Sequence, residues 1–72
     1  MAYYKRLRDM REDNNYTQKE IAKLLYTTQP QYYRYEIGLR DLPCELLIML
    51  AEIYNVSADY ILGLTDELRS YK

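Results

Sequence analysis

Apolar residues recur along this chain at three- and four-residue intervals, separated by short polar stretches. That is the period of a helix face. No run alternates apolar and polar residues over strand length, so the pattern predicts an all-α fold. A first helix is expected over residues 3–13, with Tyr3, Leu7 and Met10 as its inward stripe and Lys5, Arg6, Arg8, Asp9 and Glu12 on its other faces. Asn14 and Asn15 should end it, because asparagine tolerates left-handed backbone and competes for local hydrogen bonds.

Residues 17–38, TQKEIAKLLYTTQPQYYRYEIG, hold the densest local signals. Thr17 followed by Glu20 is a capping box: the hydroxyl accepts from one free amide at a helix start while the carboxylate returns to another. Thr28 and Gln31 repeat that spacing. The two starts leave a turn of about three residues between short helices, which suits a helix-turn-helix whose second helix can enter a DNA major groove. Tyr16 stands where it can staple against Ile21. In the second helix Ile21, Leu24 and Leu25 share one face, Lys19, Glu20 and Lys23 lie opposite, and Ala22 suits a close helix crossing. In the third, Tyr32 and Tyr35 share one side, while Gln29, Tyr33, Arg34 and Ile37 fall elsewhere on the circumference. Pro30 is tolerated in the first turn, where its missing amide would lack an intrahelical partner anyway. Gly38 ends the helix.

Beyond the connection at residues 39–42, Pro43 is placed in the first turn of a fourth helix over residues 44–54. Leu46, Leu47, Leu50, Ala51, Ile53 and Tyr54 give it an apolar face broad enough to serve as the central strut of the core. Asn55 closes it. Ser57 caps a short fifth helix over residues 58–62 that ends at Gly63. The tail is too polar to demand burial, so one domain is expected over residues 1–66, followed by a tail at 67–72.

Seventy-two residues support one small domain, with no repeat and no room for a separate small-molecule effector domain. A net charge of -1 conceals an asymmetry: residues 1–40 hold eight basic and five acidic residues, or +3, and residues 41–72 hold two basic and six acidic, or -4. A local basic surface matters more for phosphate contact than the global sum, though ordinary solvated charge explains the counts equally well. The lone Cys44 excludes an internal disulfide, the charged N-terminus lacks a signal-peptide core, and the longest apolar run falls far short of the roughly 20 residues of a membrane span. A soluble protein of a reducing cytoplasm is expected. With no histidine, no activated cysteine, no glycine-rich phosphate loop and no metal-ligand spacing, neither catalysis nor a metal or cofactor is expected.

Several residues fall in register with a known pattern: the Thr17 cap with Gln18, then Ala22, Tyr35-Glu36, Gly38, Pro43, Leu50-Ala51 and the closing VSADYILG of residues 56–63. Over about residues 5–66 the chain resembles the lambda-repressor-like helix-turn-helix family, the Cro and phage-repressor group also called XRE. The resemblance implies a compact five-helix domain with the helix-turn-helix at helices 2 and 3, acting on double-stranded DNA as a homodimer. It implies that Gln18 and Thr28 hold phosphates and that Gln29 approaches base edges, its amide suited to adenine N6 and N7. Tyr33 and Arg34 would face DNA, Pro30 would offer only van der Waals contact, and Gln31 and Arg40 would touch the backbone. Capping alone would also explain Thr28 and Gln31, and solvation would explain Arg40. The resemblance further implies a partly buried ion pair between Arg11 and Glu36, and a core position for Tyr32.

One departure is Tyr26, which stands where the family has a turn glycine, so the turn is either strained or differently shaped. The function implied is a sequence-specific transcriptional regulator of bacterial or phage type that represses by occupying an operator. A protein-interaction module, such as an antitoxin or accessory subunit, is the alternative on the same fold. Met49, Leu64 and the tail are candidate dimer contacts.

Overall fold

The computed structural model describes residues 4–64. They form α1 (Lys5–Asp13), α2 (Gln18–Leu24), α3 (Gln29–Glu36), α4 (Cys44–Tyr54) and α5 (Ala58–Ile61), with no strand among the described residues. Tyr3 and the proposed limit at residue 66 lie outside that range. The inward face of α1 is carried by Leu7 and Met10, both buried. None of the helices described is long and apolar enough to cross a membrane.

Helix starts follow the sequence signals in most respects. Thr17 Oγ1 accepts from the Glu20 amide at 3.1 Å and the Thr17 amide donates to Glu20 Oε1 at 2.9 Å, completing the capping box. Thr28 Oγ1 accepts from the Gln31 amide at 3.3 Å, but the Gln31 side chain does not return to the cap. It runs along the helix instead and donates to Tyr35 Oη at 3.0 Å, so the second start is half a box. Pro43 is the N-cap of α4 rather than a first-turn residue, and Ser57 Oγ caps α5 by accepting from the Tyr60 amide at 3.0 Å.

All five helices end in one manner. Asn15, Tyr26, Gly38, Asn55 and Gly63 have positive φ. The amide after each donates to a carbonyl five residues back: Tyr16 to Arg11, Thr27 to Ala22, Leu39 to Arg34, Val56 to Ala51 and Leu64 to Asp59, at 2.8–3.0 Å. This is the Schellman closure, which satisfies carbonyls that a helix end otherwise strands. It needs one left-handed residue per helix, and glycine or asparagine supplies it everywhere except at Tyr26. The turn between α2 and α3 therefore keeps its glycine-type shape, at φ 56, and carries strain.

The core consists of Leu7, Met10, Ile21, Ala22, Leu25, Tyr32, Tyr35, Leu42, Leu50, Val56 and Ile61. Leu24 departs from its expected place on the inward face and is 44% exposed. At about 100° of turn per residue, Ile21, Leu25 and Ala22 share one arc, and Leu24 falls outside it on the side away from Ala22. The small Ala22, 1% exposed, is buried on the other edge of that arc. The expectation for α4 also needs correction. Only Leu50 is fully buried, Leu46, Leu47, Met49, Ala51, Ile53 and Tyr54 are partly covered, and Ile48 is exposed. An apolar circumference this wide cannot all face one small core, so α4 is a flank of the domain and not its central strut.

The Tyr26 side chain is 91% exposed and has little packing to lose. Tyr26→Gly should therefore raise stability by about 1 kcal/mol, while Tyr26→Ala, which keeps the left-handed penalty, should not. In a domain this size that corresponds to a gain of roughly 4–8 °C in melting temperature. A thermal melt in which the glycine variant is no more stable than the parent would show that the turn stores no strain.

Candidate nucleic-acid interface

The first turn of α2 and the first residue of α3 meet through two glutamines, and both are aimed by a buried charge. Glu36, the last residue of α3, accepts two hydrogen bonds from Arg11 of α1: Nε to Oε2 at 2.9 Å and Nη2 to Oε1 at 3.1 Å. The remaining Arg11 nitrogen, Nη1, donates to the carbonyl of Tyr16 at 2.9 Å. Gln18 Nε2 donates to Glu36 Oε1 at 3.2 Å, and Gln29 Nε2 donates to Gln18 Oε1 at 2.7 Å. A carboxylate can only accept, so Glu36 fixes the Gln18 amide with its nitrogen inward and its oxygen toward Gln29. The Gln29 oxygen and second N–H then have no protein partner among the described residues. They form an acceptor and a donor side by side at the exposed tip of α3.

The pair at the base of this relay is largely out of water, with the Arg11 and Glu36 side chains 12% and 4% exposed. Burial pushes the Glu36 carboxyl up, but hydrogen bonds from Arg11 and Gln18, with the nearby Tyr32 dipole, outweigh it and hold the group below its ordinary value. The same contact raises Arg11 above its own. Tyr32 is fully buried in the core beside them, and its hydroxyl has no hydrogen-bond partner at ordinary geometry, so its influence on Glu36 is that of a close dipole. Burial keeps the phenols of Tyr32 and Tyr54 neutral far above the usual tyrosine range.

Other expected site residues lie around this tip. Thr28 Oγ1 serves as a cap acceptor, which leaves its hydroxyl proton available to a ligand. Pro30 is exposed on the first turn of α3. The Gln31 amide is committed at both ends, donating to Tyr35 Oη and accepting from Arg34 Nη1 at 3.0 Å, so it braces Arg34 along the helix surface. Tyr33 is half exposed. Arg40 lies in the following loop, brought near only by its backbone amide, which donates to the Arg34 carbonyl at 3.2 Å. Gln18 and Gln29 are thus joined directly, Thr28, Gln31 and Arg34 cluster on α3, and Arg40 stands apart.

Between α1 and α3 an open cleft of about 450 Å³ is lined by Arg8, Arg11, Gln18, Tyr33, Glu36 and Ile37. Arg8 was absent from the expected site. Its signal was present in the sequence, since it stands three residues before Arg11 and so shares a helix face with it. Arg6 has a structural part: Nη1 donates to the Tyr60 carbonyl at 2.9 Å and the guanidinium stacks 4.1 Å above the Tyr60 ring, which ties α1 to α5. Cys44 is exposed, and among the described residues no group of histidine, cysteine, aspartate or glutamate could hold a metal.

A helix-turn-helix family model matches residues 7–61. The chain is 38% identical over 65 residues to YobD of Bacillus subtilis, described as an uncharacterized HTH-type transcriptional regulator, covering 90% of this chain and 58% of that protein. It is 41% identical over 63 residues to the HTH-type transcriptional regulator ImmR of the same organism, covering 88% and 50%. To AnsR, another B. subtilis HTH-type transcriptional regulator, it is 34% identical over 58 residues, covering 81% and 50%. The chain therefore spans about half the length of the curated relatives it matches. No solved structure matches it.

Removing Arg11 would leave a buried carboxylate unpaired, so Arg11→Met should cost about 3–5 kcal/mol in urea denaturation. The pH dependence has a definite sign. Because folding lowers the Glu36 pKa, its contribution is complete above the unfolded value and is lost as pH falls through the folded one. Glu36→Gln should accordingly flatten the acid limb of the stability profile. An acid limb as steep as the parent's would remove Glu36 from this role.

Proposed function

Because this chain belongs to the helix-turn-helix family, we propose that it is a DNA-binding transcriptional regulator whose α3 enters the major groove of an operator. The observation that carries this reading is the relay from Arg11 through Glu36 and Gln18 to Gln29. It leaves one acceptor and one donor on a single amide at the tip of an exposed helix. That pair complements adenine, whose N6 donates and N7 accepts in the major groove. The second N–H of Gln18 and the hydroxyl of Thr28 are left to hold phosphates on either side.

The remaining surface of α3 divides by chemistry. Pro30 offers apolar contact of the kind a thymine methyl accepts, and the Tyr33 phenol reaches toward the backbone. Arg34, braced by Gln31, directs its remaining donors at guanine or phosphate, and Arg40 adds a backbone contact from the loop. The similar B. subtilis proteins are named transcriptional regulators, which supports the same reading. One such module buries little surface on DNA, so two copies on half-sites about one helical turn apart are the expected binding unit, and occupancy by that pair would repress sterically.

In vitro selection of bound duplexes should return a palindrome, and titration should show preference for it over random sequence with affinity falling as salt rises. Gln29→Ala should lose about 1–3 kcal/mol of discrimination at one A·T position per half-site, roughly 5- to 150-fold. Absence of binding to any duplex at low salt would overturn the proposal and favour a protein-interaction module.

A further inference from the structure

The cleft between α1 and α3 has donors that the relay leaves unused. Arg11 and Glu36 cancel at its floor through their two-bond contact, so the remaining charge in the cleft is that of Arg8. The one described partner of Arg8 is Glu12, a helical turn further along α1, at 3.4 Å. Their side chains are 66% and 52% exposed, a distance and a wetness that leave the guanidinium available to a competing anion. Tyr33, Gln18 and Ile37 line the same cleft: Tyr33 brings a phenol hydroxyl, Gln18 an N–H beyond the one it gives to Glu36, and Ile37 an apolar side chain. One net positive charge, two neutral donors and an apolar side suit a phosphodiester with its attached sugar.

We propose that this cleft receives a phosphate of the DNA backbone and that Arg8 supplies its charge, which makes α1 part of the nucleic-acid surface. The assignment rests on the DNA-binding reading of α3: Tyr33 and Ile37, one helical turn apart, line the cleft beside Arg8, so a backbone strand that runs along this side of α3 meets the guanidinium. Arg8 then trades its solvated contact with Glu12 for a charge-assisted hydrogen bond to phosphate. Such a contact is indifferent to base identity and positions the module on the duplex.

Salt-dependent titrations of the parent, Arg8→Ala and Arg8→Lys against a selected and a random-sequence duplex test the assignment. Arg8→Ala should weaken binding to both duplexes by the same factor, roughly tenfold per bound copy near 0.1 M salt, and lower the slope of log K against log salt by about 0.9 per copy, or about 1.8 for the two-copy unit. Sequence preference should not change, and Arg8→Lys should keep the parent slope because lysine also neutralises a phosphate. If the parent binds and Arg8→Ala shares its slope, the cleft assignment is overturned while the reading of α3 stands. A parent that binds neither duplex at low salt would overturn both.

Discussion

A carboxylate buried at the end of α3 is the constraint around which this small domain is arranged. Glu36 cannot stay charged away from water without a full complement of donors, and it draws them from two other helices: Arg11 on α1 and Gln18 on α2. Charge pairing therefore does what apolar packing alone does poorly, since it fixes rotation and register as well as proximity. A well-packed apolar substitute at both positions could be as stable, yet it would leave the Gln18 amide free to flip and Gln29 with nothing to hold it. The pair contributes a defined orientation of polar groups at the surface, at the cost of desolvating two charges.

The helix ends supply a second kind of order. Each of the five helices stops on a left-handed residue and returns an amide to the carbonyl five residues back, so the short connections carry their own hydrogen bonds. Such turns behave as rigid elbows. This matters most between α2 and α3, where the elbow sets how far Gln18 stands from Gln29. Tyr26 holds the glycine-type conformation there because the closure after it and the packing of Ala22, Leu25 and Tyr32 on either side over-determine it.

Much of this was legible in the sequence because the relevant physics is local. Caps at Thr17, Thr28 and Ser57 and closures at Asn15, Gly38, Asn55 and Gly63 depend on a few neighbouring residues, so the elements could be placed with small errors at their ends. The misses were tertiary. Ala22, read as suiting a close helix crossing, is buried, but Leu24, read as inward, is not: each can share an arc with Ile21 and Leu25, and which arc packs inward depends on the neighbouring helix. The apolar width of α4 suggested centrality, whereas in the fold it reflects a flank with several half-covered side chains. Gln31 matched the second half of a capping box, but its amide pairs with Tyr35 Oη and the Arg34 guanidinium instead. The relay through Gln18 joins residues far apart in sequence, and spacing alone could not reveal it.

On the proposed function, the distribution of charge bears on how the surface discriminates. Within α3, Glu36 is neutralised by Arg11, and Arg34 is the helix's other charged residue, with its guanidinium already held along the surface by Gln31. The tip itself is neutral: two glutamines, a threonine and a proline. A surface of this kind gains little from attraction to phosphate in general, and the acidic second half of the chain reduces that attraction further. Non-specific affinity should then be low relative to specific affinity, because amide-to-base pairing requires matched donors and acceptors and fails when they are mismatched. On the proposed reading, the few cations near the tip would position the module on the duplex, and selectivity would fall to the orientation of neutral amides. That orientation traces back to the buried carboxylate.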